Sequence, residues 1–263
     1  MSMDIHAHAF HPKIAGKSIV QLQTHYGIQI AGSGLVDDLL ARERAAGIAR
    51  VAVHTAATAP AQVIPANNWA MSLAGEHPEI VAFGTMHPDY ADIEGELDRL
   101  RQAGIHGLKF HADFQGFFLD EPRFYRVLEA AGSDFVLMFH VGDRLPPEQN
   151  PSCPLKLARI RRDFPGPVII AAHFGGYLHW DWAAEHLAGM DVYLDTSSAL
   201  PFMSDAQLKA ILGRHPFERL LFGSDYPLHD PGEELKRVRT RLGLSDSRLS
   251  DLLEHAEALF TNA

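Results

Sequence analysis

The chain has 263 residues, 46% of them hydrophobic and 21% charged, the size and balance of one α/β barrel with a sizeable core. A formal net charge of −10 with scattered basic residues argues against a groove for nucleic acid, and no apolar run approaches the roughly 20 residues of a membrane helix. The single cysteine, Cys153, excludes an intrachain disulfide and suits a reducing cytoplasm, and no targeting segment is read before the first strand.

Short β-rich runs alternate with amphipathic stretches from one end to the other. Strands are predicted over residues 3–8, 50–54, 80–86, 107–111, 135–140, 168–173, 191–195 and 220–224. Their nearly unbroken apolar character, as in Val168-Ile169-Ile170-Ala171-Ala172, is that of parallel strands covered on both faces. The stretch from Phe10 to about Ser33 reads as a long loop. A helix opens at Leu35-Val36-Asp37-Asp38-Leu39-Leu40 and stops at Gly47. Ile93, Leu97 and Leu100 mark another, ended by Gly104; Leu155, Leu157 and Ile160 carry a third, and Leu208, Ile211 and Leu212 a fourth. A last helix, at about 247–260, is expected to pack across the barrel exterior.

Eight β-then-α units in series predict a single-domain (β/α)8 TIM barrel over residues 1–263, with the last helix as an extra C-terminal element. A doubly wound sheet would carry a Gly-rich phosphate turn after its first strand. This first strand ends instead in His6-Ala7-His8.

Side chains two apart on a strand project to the same side, so His6 and His8 can face one point inside the barrel, half of a tetrahedral metal site. The fifth strand ends in His140, the sixth in His173 and the eighth in Asp225. The C-terminal ends of barrel strands form one rim, where catalytic groups gather. Four histidines and an aspartate converging there are hard to desolvate without a cation. The alternative for Asp225 is a helix N-cap, although Pro227, Asp230 and Pro231 could begin that helix without it. His54 and His87 also end strands and read equally well as rim residues.

The motifs Asp4-Ile5-His6-Ala7-His8, Gly107-Leu108-Lys109-Phe110-His111, Met138-Phe139-His140, Ala172-His173-Phe174-Gly175-Gly176 and Gly223-Ser224-Asp225-Tyr226-Pro227 span nearly the whole chain. In this order they resemble the amidohydrolase superfamily, in particular the amidohydrolase-related group that includes aminocarboxymuconate-semialdehyde decarboxylase and γ-resorcylate decarboxylase. The resemblance implies that His6, His8, His140 and Asp225 hold one divalent ion, zinc first. It implies that His173 is a catalytic acid/base or electrophile, and a ligand where a second ion is bound. Asp225 would bind the metal and also accept a proton from the attacking water. Lys109 is expected as a plain ammonium beside Asp225 or a substrate carboxylate, with a carbamate bridging two metals as the alternative.

Specificity should lie in the rim loops. Their aromatic residues, among them Phe114, Phe117, Tyr177 and Trp180, suggest a compact pocket for a small molecule. The leading expectation is hydrolysis of a lactone, ester or amide by a metal-activated water. The alternative is non-oxidative decarboxylation of a small unsaturated or aromatic acid, with Lys109, Arg144 or His179 holding the carboxylate. A TatD-like nuclease and a barrel that binds without turnover are weaker readings, and exposed barrel helices leave room for a homo-oligomer.

Overall fold

The apolar runs become eight parallel strands that neighbour one another in chain order: β1 (Met3–Ala7), β2 (Arg50–His54), β3 (Ile80–Thr85), β4 (Gly107–Phe110), β5 (Val136–Phe139), β6 (Ile169–Ala171), β7 (Tyr193–Asp195) and β8 (Leu220–Leu221). They are drawn from a computed structural model that describes residues 1–260. The sheet closes on itself where Ile5 N donates to the Phe222 carbonyl at 2.9 Å, Asp225 N to His6 at 2.7 Å and His8 N to Tyr226 at 2.6 Å. Between the strands run α1 (Pro12–Tyr26) and α2 (Val36–Ala45), α3 (Val63–Glu76), α4 (Ile93–Gln102), α5 (Ala112–Gln115) and α6 (Pro122–Ala131). They are followed by α7 (Pro154–Asp163), α8 (Trp180–His186), α9 (Asp205–Leu212), α10 (Pro231–Leu242) and α11 (Asp246–Glu254). No helix among the described residues is long and apolar enough to cross a membrane.

Period-two alternation divides the strand side chains between two cores. Val51, Val53, Leu108, Phe110, Leu137 and Phe139 pack outward against the helices. Met3, Ile5, Ala52, Phe83, Val136, Met138, Ile170, Ala172 and Leu221 fill the barrel itself. Lys109, midway between two outward residues of β4, therefore points to the barrel axis.

In β1 the alternation is interrupted. Asp4 pairs with Val51 but Ala7 pairs with Val53, so one extra residue is accommodated between them. This bulge lets Ile5 join the inner core while His6 also turns inward, the re-aiming that bulges supply beside functional sites.

Three expectations shift. Strands β2 and β7 end where predicted, and the other six end one to three residues earlier, because the rim residues leave the sheet to face the site. Residues 12–26, read as loop, form α1: Pro12 stands in its first turn, the His11 ring caps Lys13 N, and Gly27 ends it at φ 68°. Only Ala15 of this helix is buried, so it lacks the apolar stripe by which the other helices announce themselves. Finally, the C-terminal element packs Leu252 of α11 into the outer core, but the residues after the helix leave the outer wall. Ala256, Leu259 and Phe260 pack into the inner core, with Phe260 edge-on to Phe83 at 5.9 Å. Arg50 to Glu257 at 2.8 Å and His255 Nδ1 to the Leu220 carbonyl at 2.9 Å fasten the segment to the starts of β2 and β8. It covers the N-terminal mouth of the barrel, opposite the rim.

Candidate metal centre

His6 and Asp225 come from strands that adjoin only through barrel closure. His6 is 1% and Asp225 4% exposed. His6 Nε2 and His8 Nε2 lie 3.6 and 3.4 Å from Asp225 Oδ1. The far side of each ring is already committed. His6 Nδ1 is 2.8 Å from the Asp195 carboxylate and 2.9 Å from Ser197 Oγ. His8 Nδ1 is 3.1 Å from the His54 carbonyl. A carboxylate and a carbonyl only accept, so both rings carry their proton on Nδ1 and turn the Nε2 lone pair toward Asp225.

Two lone pairs and a carboxylate oxygen facing one another repel unless a proton or a cation lies among them. Lys109 Nζ, 3.1 Å from His6 Nε2, is the donor that reaches the cluster. The spacing also suits a metal: four ligands at about 2.1 Å in a tetrahedron stand about 3.4 Å apart. Two imidazoles and one carboxylate, each oriented from behind, are a fitting donor set for a divalent ion.

His140 is not part of that triplet. Its Nδ1 lies 3.0 Å from His173 Nε2, and its Nε2 is buried without a hydrogen-bond partner among the described residues. His173 Nδ1 faces the Ser197 carbonyl at 3.1 Å and so carries the proton, which leaves its own Nε2 as a lone pair toward His140. Here too a proton or a cation must sit between two nitrogens. His140, His173 and Asp225 line one pocket with Ser198, Tyr26, Tyr177 and His229. The ring of His140 is fixed by a stack in which His111 lies 3.8 Å from it and Phe114 lies 3.9 Å beyond.

The electrostatics follow from burial. Burial alone would raise the Asp225 carboxyl, but the adjoining His8, the nearby His173 and the Ser198 hydroxyl hold it well below the usual carboxylate range. Burial lowers His6 and His140 well below the ordinary imidazole value, keeping them neutral as ligands must be. It also lowers the Lys109 ammonium to about 8, against the attraction of Asp195 and Asp225. His173, Ser198 and Asp225 all adopt left-handed backbone, at φ 62°, 49° and 60°. Such conformations cost about 1–3 kcal/mol each and collect at functional sites. At His173 the turn redirects the side chain, since its neighbour Ala172 already faces inward. Gly223 is needed for close approach: a Cβ there would stand 2.9 Å from His6 Cβ.

The remaining expected residues are not part of the pocket lining, although the Arg144 charge acts on the Tyr177 hydroxyl in its wall. Arg144 is exposed on the loop after β5. His179 is buried, with Nε2 bonded to the Leu145 carbonyl at 2.8 Å, and outside the pocket lining. Sequence reasoning passed over Asp195, which orients His6 and also accepts from His173 N at 3.0 Å. Its signal was present: it ends the seventh strand as His140 and His173 end theirs. Tyr26 and His229 were likewise unmarked.

A family model described as Amidohydrolase matches residues 3–261. No curated protein matches the chain. Among solved structures it is similar to 5-carboxyvanillate decarboxylase LigW from Sphingomonas paucimobilis, with a TM-score of 0.71 and 17% identity over 98% of both chains. A protein from Pseudomonas putida described as a 2-pyrone-4,6-dicarboxylic acid hydrolase gives a TM-score of 0.67 and 19% identity over 98% of this chain and 97% of that one. A 5-carboxyvanillate decarboxylase from Novosphingobium aromaticivorans, solved with bound manganese, gives 0.69 and 16% over 99% and 97%.

Proposed function

The chain belongs to the amidohydrolase family of metal-dependent enzymes, and on that premise we propose that it hydrolyses a small lactone, ester or amide. The observation that carries the reading is the convergence of His6 Nε2, His8 Nε2 and the ionised Asp225 carboxylate. We assign these three and His140 as the ligands of one divalent ion, zinc first, with manganese to be tested beside it. When bound, such an ion supplies Lewis acidity and, for zinc, brings the pKa of its water to about 7.

The chain's own groups supply the rest. Ser198 Oγ donates to Asp225 Oδ2, leaving Oδ1 to orient the attacking water and accept its proton. His173, fixed through Nδ1 by the Ser197 carbonyl and with Nε2 3.0 Å from His140 Nδ1 at the pocket lining, is the group we assign to carry that proton to the leaving oxygen or nitrogen. Lys109, buried at 1% exposure, sits at the Nε2 side of His6 as a counter-charge to Asp195 and Asp225. One water is consumed, and the acyl group and the alcohol or amine leave as separate products.

A second reading, decarboxylation of a small aromatic or unsaturated acid, is favoured by the activities named for two of the similar structures. Zinc- and manganese-loaded protein should be offered lactones and esters alongside such acids, with carbon dioxide release followed. Hydrolysis lost on chelation and restored by metal is the expected result. Carbon dioxide release without hydrolysis transfers the assignment to the second reading, and inactivity on both panels sinks both.

Asp195 acts from behind His6, so Asp195→Asn should weaken metal binding by about 10–100-fold. Turnover of the fully loaded enzyme should stay near the parent value. Competition with a chromogenic chelator reads the first quantity, and unchanged affinity would remove Asp195 from this role.

A further inference from the structure

Beyond the metal side, the pocket is walled by Tyr26, Ile28, Tyr177, Phe202, Leu228 and His229. Between them about 10 Å³ is left for the centre of a water molecule, room for about one water. A lactone, ester or carboxylic acid therefore reaches the metal side only when part of this wall moves. The backbones of Tyr177, Phe202 and Leu228 are tied down, donating to the Val141, Ala199 and Asp225 carbonyls at 2.7, 3.0 and 2.9 Å. Tyr26 and Ile28 have a looser footing. Tyr26 is the last residue of α1, of which only Ala15 is buried, with Ile14 and Val20 51% and 62% exposed. Ile28 belongs to a stretch, residues 28–30, that makes no backbone hydrogen bond among the described residues. Few buried apolar contacts and unpaired backbone mark the segments of a fold that open most readily.

What holds this segment down is gathered at the C-terminal end of α1. His25 Nε2 is 3.1 Å from Asp143 Oδ2. The His25 ring meets Phe114 edge-on at 4.8 Å, Tyr26 meets Tyr177 edge-on at 5.9 Å, and the Arg144 guanidinium stands beside Gly27. These partners follow β4, β5 and β6, and β5 stands opposite β1 in the ring of eight strands. The helix that follows β1 thus crosses the mouth of the barrel to reach them. Resting on the assignment of this pocket as the reaction site, we propose that α1 and residues 27–30 form a lid, closed in this structure, with His25 and Asp143 as its latch. Substrate enters when the latch parts and the helix lifts. Closure then returns Tyr26 and Ile28 to the wall and keeps bulk water from the reacting bond.

The test is thiol labelling of Leu228→Cys in the metal-free full chain with N-ethylmaleimide, followed by mass. Leu228 is 5% exposed in the wall, so the reagent reaches a thiol there only through an open mouth. Cys153, 2% exposed, supplies the background rate in the parent chain. Labelling should be slow, and adding His25→Ala should speed it at least about tenfold, the effect of losing one hydrogen bond to a carboxylate. Hydrogen exchange of the parent chain is the second measurement. Amides of α1 should exchange at least about 100-fold faster than those of α6, whose Phe124, Val127, Leu128 and Ala131 are buried. Fast labelling of Leu228→Cys by itself, no acceleration by His25→Ala, or exchange in α1 as slow as in α6 overturns the proposal. Neither measurement involves metal or turnover, so a failed hydrolysis or decarboxylation assay sinks the proposed reaction and leaves the lid to its own test.

Discussion

Asp225→Asn should lower kcat/KM by about 10³-fold or more on whichever substrate the metal-loaded enzyme accepts. The change keeps the shape of the side chain and removes its charge and proton affinity. Asparagine also tolerates the left-handed backbone found at this position, φ 60°, so loss of fold is not the expected cause. Circular dichroism and the thermal midpoint of the chelated variant should stay close to those of the parent. Residual metal binding through the three histidines should persist at reduced affinity. Unaltered activity in a correctly folded variant would remove Asp225 from proton transfer and from the ligand set together.

Acid should unfold the chelated protein well above the pH at which ordinary carboxylates titrate. Eight imidazoles, His6, His54, His111, His140, His173, His179, His215 and His229, are held below their ordinary value, each chiefly by burial. A depressed histidine contributes stability above its unfolded value of about 6.5, and that contribution is lost as pH falls, because the unfolded chain takes up the proton the fold refuses. Four carboxyls act in the opposite sense. Burial raises Asp4 to about 7 and Asp113 to about 6, and also raises Glu43 and Asp195, so the fold keeps protons that the unfolded chain releases. The histidines outnumber the opposing carboxyls, so the unfolded chain binds more protons than the fold below about pH 6.5, and stability falls as pH is lowered through that range. Urea midpoints between pH 8 and pH 5 measure the slope, and a flat profile would contradict the burial of these rings.

The architecture was legible because parallel strands sealed on both faces leave a strong mark, runs such as Ile169-Ile170-Ala171 between polar segments. The gathering of His6, His8 and Asp225 was legible for a related reason: barrel closure brings strand ends together whatever their distance in sequence. What stayed hidden depends on tertiary context. No local feature reveals that β1 accommodates an extra residue between Asp4 and Ala7, so His6 faces inward by a bulge that simple alternation does not contain. The left-handed turn at His173 is equally silent, since nothing in the local sequence demands it there. Helix α1 escaped because a helix resting on a rim buries little and needs no apolar stripe. Asp195 escaped because an acid at a strand end looks like a solvated terminus until its partner, His6, is seen 2.8 Å away.

The seal formed by Ala256, Leu259 and Phe260 bears on how the protein is born. The hydrophobic lumen it stoppers is lined by Met3 and Ile5 of β1 among others, so side chains made before every other strand wait for a segment made after β8 before their floor is laid. Until then β1 also lacks its closing neighbour β8. The nascent barrel is thus an open trough with a greasy bed, exposed to chaperones and to aggregation until the residues after β8 have emerged.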